Sequence, residues 1–116
     1  MKMSDVDSSS ISALCCSPTG QLFLLDVGLS AIYRLDLARG DCITVAKIDN
    51  VVDISFFGVF LVVLLPSGLI IMDHEGNVLK KHNTVFSSKP VAVCNTLSSI
   101  IVTGADTDIW SFQITY

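Results

Sequence analysis

The run Asp73-His74-Glu75 is the densest group of titratable side chains in the chain, two carboxylates flanking an imidazole. Brought into a cleft, such a trio has the groups needed for general acid–base chemistry. It is followed by Gly76-Asn77, residues that tight turns recruit, and so reads as a solvated hairpin turn. His82 stands on a polar stretch beside Lys80 and Lys81, with no partner in sequence. Arg39-Gly40-Asp41 spells the integrin tripeptide, yet Gly and Asp are what a turn selects in any case. Nucleophile elbows, His-Glu-x-x-His and Gly-rich phosphate loops are absent. The four cysteines, at 15, 16, 42 and 94, include a vicinal pair and form no Cys-x-x-Cys. Each lies in an apolar stretch, which predicts buried, reduced thiols. These residues predict no catalytic, cofactor or metal site.

The elements that would have to position such groups are set by composition and pattern. Of 116 residues, 51% are hydrophobic and 16% charged, which places the chain among globular domains. Seven Lys and Arg stand against eleven Asp and Glu, for a formal charge of −4. The bases Arg34, Arg39, Lys47, Lys80, Lys81 and Lys89 are scattered, without the stripe a nucleic-acid partner requires. Met1–Ser10 has no apolar core of a signal peptide and is predicted to be a disordered tail. Asn-x-Ser/Thr sequons are absent. A reducing, cytoplasmic compartment is expected.

Self-similarity organises the rest. Sliding the chain by 39 residues superposes Ala13, Val52 and Val91, then Cys15, Ile54 and Val93. Leu22, Leu61 and Ile100 follow, and Phe23, Val62 and Ile101, and Leu24, Val63 and Val102. After a shift of a residue or two, Ile32-Tyr33-Arg34-Leu35, Leu69-Ile70-Ile71-Met72 and Ile109-Trp110-Ser111-Phe112 align. Each unit reads as short strands separated by turn chemistry. The first predicts strands at Ile11–Cys16, Gln21–Asp26, Ala31–Leu37 and Cys42–Ile48. The second predicts Val51–Phe56, Val59–Leu65, Leu69–Asp73 and Val78–His82. The third predicts Val91–Cys94, Ile100–Thr103 and Ile109–Thr115, without a fourth. The second strand of each unit is nearly all apolar, as burial on both faces demands. Leu79-Lys80-Lys81-His82 suits an edge. Leu61 and Trp110 are predicted core residues.

Gly20-Gln21-Leu22-Phe23-Leu24-Leu25-Asp26, followed by Ala31-Ile32-Tyr33-Arg34-Leu35-Asp36, resembles an NHL-type β-propeller blade, with its Gly-x-Leu-Tyr-Val-x-Asp and Ile-x-x-Phe-Asp. Thr103-Gly104-Ala105-Asp106-Thr107-Asp108-Ile109-Trp110 resembles the closing segment of a WD40 blade. Trp110 follows Ile109 directly, however, and Trp-Asp and Gly-His are missing. The fold expected is all-β: three consecutive four-stranded propeller blades at 11–50, 51–86 and 87–116, the third incomplete. The resemblance implies a non-enzymatic scaffold that binds proteins. Three blades do not close a ring, so completion is expected from self-association, a partner chain or a longer parent chain. The open faces of the array are expected to carry Leu22, Leu24, Ile100 and Val102. Binding is expected on loops at one end of the blades, at Ser30, Asp49, Asn50, Ser67, Ser87, Lys89, Asp106 and Asp108.

Two alternatives compete. Sugar-lactonase-type propellers, which resemble this architecture, hold a metal on axial carboxylates, and Asp26, Asp53 and Asp106 are the candidates, though at non-equivalent places in the units. Ile54–Met72 contains no charge across nineteen residues, long enough for one membrane helix. Pro66-Ser67-Gly68 inside it, its Val, Ile and Phe content and its acidic flanks favour strands instead.

Overall fold

The computed structural model describes residues 11–96, 99–105 and 108–113. The expected tail, residues 1–10, lies outside them. Three antiparallel meanders follow one another. The first holds β1 (Ile11–Cys16), β2 (Gln21–Asp26), β3 (Ala31–Asp36) and β4 (Asp41–Lys47). The second holds β5 (Asp53–Phe57), β6 (Phe60–Leu65), β7 (Gly68–Met72) and β8 (Val78–Asn83). The third is three-stranded among the described residues, with β9 (Pro90–Asn95), β10 (Ser99–Gly104) and β11 (Ile109–Gln113).

Turn chemistry sets the strand ends. Ser17 Oγ accepts the Gln21 amide at 3.0 Å, and Gly20 closes that hairpin at φ +87°. β3 stops at Asp36 rather than Leu37 because the Asp36 carboxylate accepts the Ala38 and Arg39 amides, at 3.1 and 3.3 Å. Gly68 sits at φ +153°, where a Cβ would collide with the His82 carbonyl.

The sheets stack face to face, with β1 beside β5 and β5 beside β9. Phe23, Leu25 and Ile32 of the first sheet pack on Ile54, Phe56, Leu61, Val63, Ile70 and Met72. The opposite face of the second sheet, with Val62, Leu64, Leu69 and Ile71, packs on Val93, Ile100 and Val102. Strand side chains alternate, so Leu61 and Val63 serve one interface and Val62 and Leu64 the other. That double duty explains the unbroken apolar run of β6. At the rim, every residue of β8 is exposed.

Several expectations are corrected. Ile54–Met72 forms most of β5 together with β6 and β7, and no helix of the described residues is long and apolar enough to cross a membrane. Leu14, Ile54 and Val93 lie opposite Leu24, Val63 and Val102 respectively. The gapless superposition of Cys15 on Ile54 is therefore off by one, because the first hairpin is a residue longer. Trp110 is half-buried, being on the last strand of its sheet. Cys16 and Cys94 are exposed and Cys15 and Cys42 half-buried. Ile100 and Val102 face the second sheet and are fully buried; the outward face of the third sheet carries Ile101, Thr103 and Ser111. Leu22 and Leu24 do lie on the outward side of the first sheet, but Leu24 is buried there in a cluster with Ala31, Tyr33 and Leu35.

Leu61 is 0% exposed at the first interface. Leu61→Ala is expected to cost about 2–5 kcal/mol through the cavity it leaves. Chemical denaturation checks this, and an unchanged midpoint would contradict the packing.

Candidate binding loops and the ties between sheets

The β2–β3 loop and the β4–β5 connection meet at one end of the first sheet, where the Ile48 amide donates to the Ser30 carbonyl at 2.9 Å. Ser30 and Asn50 both adopt positive φ, at 52° and 64°. Asn tolerates this conformation through its short polar side chain, whereas Ser adopts it rarely. With Val27, Ile48 and Asp49 they line a concavity of about 340 Å³. At the same end of the second sheet, the Thr84 amide donates to the Ser67 carbonyl at 2.9 Å. In the third, the hydroxyls of Ser87 and Ser88 donate to Asp108 Oδ2 at 3.1 and 2.8 Å. The Ala105 amide donates to the Lys89 carbonyl at 2.9 Å. The structure thus joins Ser30 with Asp49 and Asn50, and Ser87 and Lys89 with the loop of Asp108. Ser67 stands apart with the end of β8. Asp106 lies outside the described residues.

The carboxylates are engaged by backbone. Asp26 is fully buried, and its Oδ1 accepts the Leu29 amide at 3.1 Å. Asp53 ties two sheets together: Oδ1 accepts the Ile54 amide and Oδ2 the Val93 amide, each at 2.9 Å. Beside it, Ser55 Oγ donates to Asn95 Oδ1 at 3.0 Å. Asp73 accepts from the Asn77 side chain and from the Asn77 and Glu75 amides, which hold its carboxyl below the ordinary value.

His74 departs from the solvated turn expected for it. It turns inward between Phe23 and Phe56, with ring centroids 5.7 and 5.4 Å away. Its Nε2 is buried with no hydrogen-bond partner among the described residues. Arg34 Nη1, from the first sheet, donates to the His74 carbonyl at 2.7 Å and pairs with Glu75 at 3.1 Å. Gly76 lies so close to β4 that a Cβ would strike the Val45 carbonyl. The turn expected to be merely solvated fastens two sheets. The tripeptide turn is also closed on itself, with Arg39 Nε 3.2 Å from Asp41 Oδ2.

Among the described residues no three His, Cys, Asp or Glu come together to hold a metal. No protein-family model matches the sequence, and no curated relative matches it. Solved structures do match in shape. BamB from Moraxella catarrhalis aligns with 87% of this chain and 30% of its own, at 12% identity and a TM-score of 0.72. Virginiamycin B lyase from Staphylococcus aureus aligns over 96% and 43%, at 13% identity and 0.63. The chain is a partial β-propeller. It spans less than half the length of those two proteins. The computationally designed Ika4 protein is matched over 95% of its length, at 12% identity and 0.54. Likeness at these identities establishes the propeller fold.

Burial first, then Asp53 and Cys16, push the Cys15 thiol up to about 12. Because the thiolate is the reacting species, Cys15 is expected to resist iodoacetamide at pH 8 in the folded chain. The exposed Cys16 is expected to be modified. Peptide mapping after alkylation distinguishes them, and equal modification of the pair would contradict this placement.

Proposed function

We propose that the chain is a non-catalytic propeller segment that binds other proteins in the cytoplasm, using the loops at the Ser30, Asp49 and Asn50 end. The observation that carries this reading is how the acidic side chains are used. Asp26, Asp36, Asp53, Asp73 and Asp108 each accept hydrogen bonds that hold a turn or join two sheets. A lactonase-like site would need Asp53 free to ligate, whereas both of its oxygens accept backbone amides. Rigid sheets with loops fixed at one end are a scaffold for recognition. Enrichment of partner proteins by the immobilised chain is expected to fail for Asp49→Lys combined with Lys89→Glu. It is expected to persist for Lys80→Glu on the distant rim. Equal enrichment by all forms would remove the loop end from the proposal.

The blades are completed by self-association, by a partner chain or within a longer parent chain. BamB and the lyase continue well beyond the matched region. On the outward face of the third sheet Ile109 is 70% exposed, and on that of the first Leu14 is 63% exposed. Sedimentation across a concentration series is expected to show association of the isolated chain. A folded monomer persisting at the highest concentration would count against self-association.

A further inference from the structure

The connection from β8 to β9, and the strand that leads into it, differ from the rest of the chain in charge. Residues 76–105 hold Lys80, Lys81 and Lys89 and no Asp or Glu, in a chain whose formal charge is −4. Thr84 follows Lys80 and Lys81 by four and three residues. Of the seven Lys and Arg, Lys81 alone precedes a Ser or Thr by three.

The fold presents this segment outward. β8 is the outer strand of the second sheet, which has another sheet packed on each face, and every residue of β8 is exposed. The chain is therefore already extended there, the conformation in which a kinase cleft reads an acceptor segment. Thr84 comes directly after β8 and is half-buried, whereas Val85 beyond it is 96% exposed. Among the described residues the connection from Thr84 to Lys89 makes backbone hydrogen bonds at its ends alone. The Thr84 amide donates to the Ser67 carbonyl, and the Lys89 carbonyl accepts from the Ala105 amide, each at 2.9 Å. Lifting the threonine out breaks one of them.

The hydroxyls of the connection are not equivalent. Ser87 and Ser88 donate to Asp108 Oδ2, a negative charge that repels an incoming phosphate. Thr84 Oγ1 has no hydrogen-bond partner among the described residues, and the charges nearest it in sequence are positive.

We infer that Thr84 is a phosphorylation site for protein kinases that select a base three residues before the acceptor and an apolar residue directly after it. Lys81 is that base, free to pair with carboxylates of the kinase, and Val85 is the apolar residue. In the transfer, Thr84 Oγ1 attacks the γ-phosphorus of ATP and a new O–P bond forms. The bond from that phosphorus to the bridging oxygen breaks, ADP leaves, and the hydroxyl proton passes to the kinase's base. The phosphate brings a charge of about −1.5 to −2 to the end of the second sheet where Thr84 meets Ser67. Modification in the cell, and its effect on the loop end, rest on the cytoplasmic protein-binding reading. Transfer to the purified chain does not.

The test treats the whole folded chain with the catalytic domain of protein kinase C, Mg²⁺ and ATP. Mass spectrometry is expected to find one added phosphoryl group, mapped to Thr84. Thr84→Val, which keeps the side-chain shape, is expected to abolish it. Lys81→Glu, on an exposed position, is expected to slow it at least about tenfold. Lys47→Glu makes the same charge change on β4 and is expected to leave the rate unaltered. Phosphate on Ser87 or Ser88 instead, or an undiminished rate in Lys81→Glu, would overturn the proposal. So would modification of a synthetic peptide of residues 78–90 without modification of the folded chain, because the fold would then hide the hydroxyl. Transfer is read from mass alone, so failure here leaves the loop-dependent enrichment standing, and loss of that enrichment leaves Thr84 untouched.

Discussion

A sheet apolar on both faces cannot be stable alone, and the middle sheet of this protein is such a sheet. Every residue of β7 is buried, and so are Leu61 to Leu64 of β6. Removing apolar area from water is worth roughly 25 cal/mol per Å². Both interfaces are thus needed to hold the second meander in place. Each neighbour contributes one face: Phe23, Leu25 and Ile32 on one side, Val93, Ile100 and Val102 on the other. The outer sheets are positioned by this demand, and the loops at their ends are positioned with them.

Apolar contact is not directional, so something else must set the angle between sheets. Asp53 reaches from β5 to the Val93 amide of β9, and Arg34 reaches from β3 to the His74 carbonyl and Glu75. One tie lies on the inner strands and the other toward the rim. Hydrogen bonds to charged groups are worth about 1.5–3 kcal/mol, small against the apolar term but strict in geometry. They restrict sliding and splaying while the core supplies the cohesion. The Asp73-His74-Glu75 turn, the densest titratable run, takes part in this fastening between blades.

The strands were legible because period-two alternation and Gly, Pro and Asp punctuation are local signals, and all eleven appear within a few residues of where pattern places them. What was not legible depends on neighbours distant in sequence. One additional residue in the first hairpin leaves the apolar pattern readable yet moves Leu14, not Cys15, into the position of Ile54. Nothing in Asp73-His74-Glu75 announces that its imidazole will lie between two phenylalanines from different strands. Trp110 looked like core because it is large and apolar, but its burial is limited by its place on the last strand of its sheet. Among the loops, Ser30, Asp49 and Asn50 were legible as a group because antiparallel topology alone brings those connections to one end.

The outward face of the third sheet differs in kind from the two faces buried against the middle sheet. At the positions equivalent to Phe23 and Val62 it presents Ile101, and around it stand Ala92, Cys94, Thr103 and Ser111. The first sheet is the opposite, with Leu22, Leu24, Tyr33 and Leu35 on its outward side in the pattern that the second sheet turns toward the first. The two ends of the array therefore differ, with apolar residues on the leading side and a mixed set on the trailing one. Leu24, Tyr33 and Leu35 on that leading side are already buried within the chain, whereas Ile109 on the trailing side is exposed.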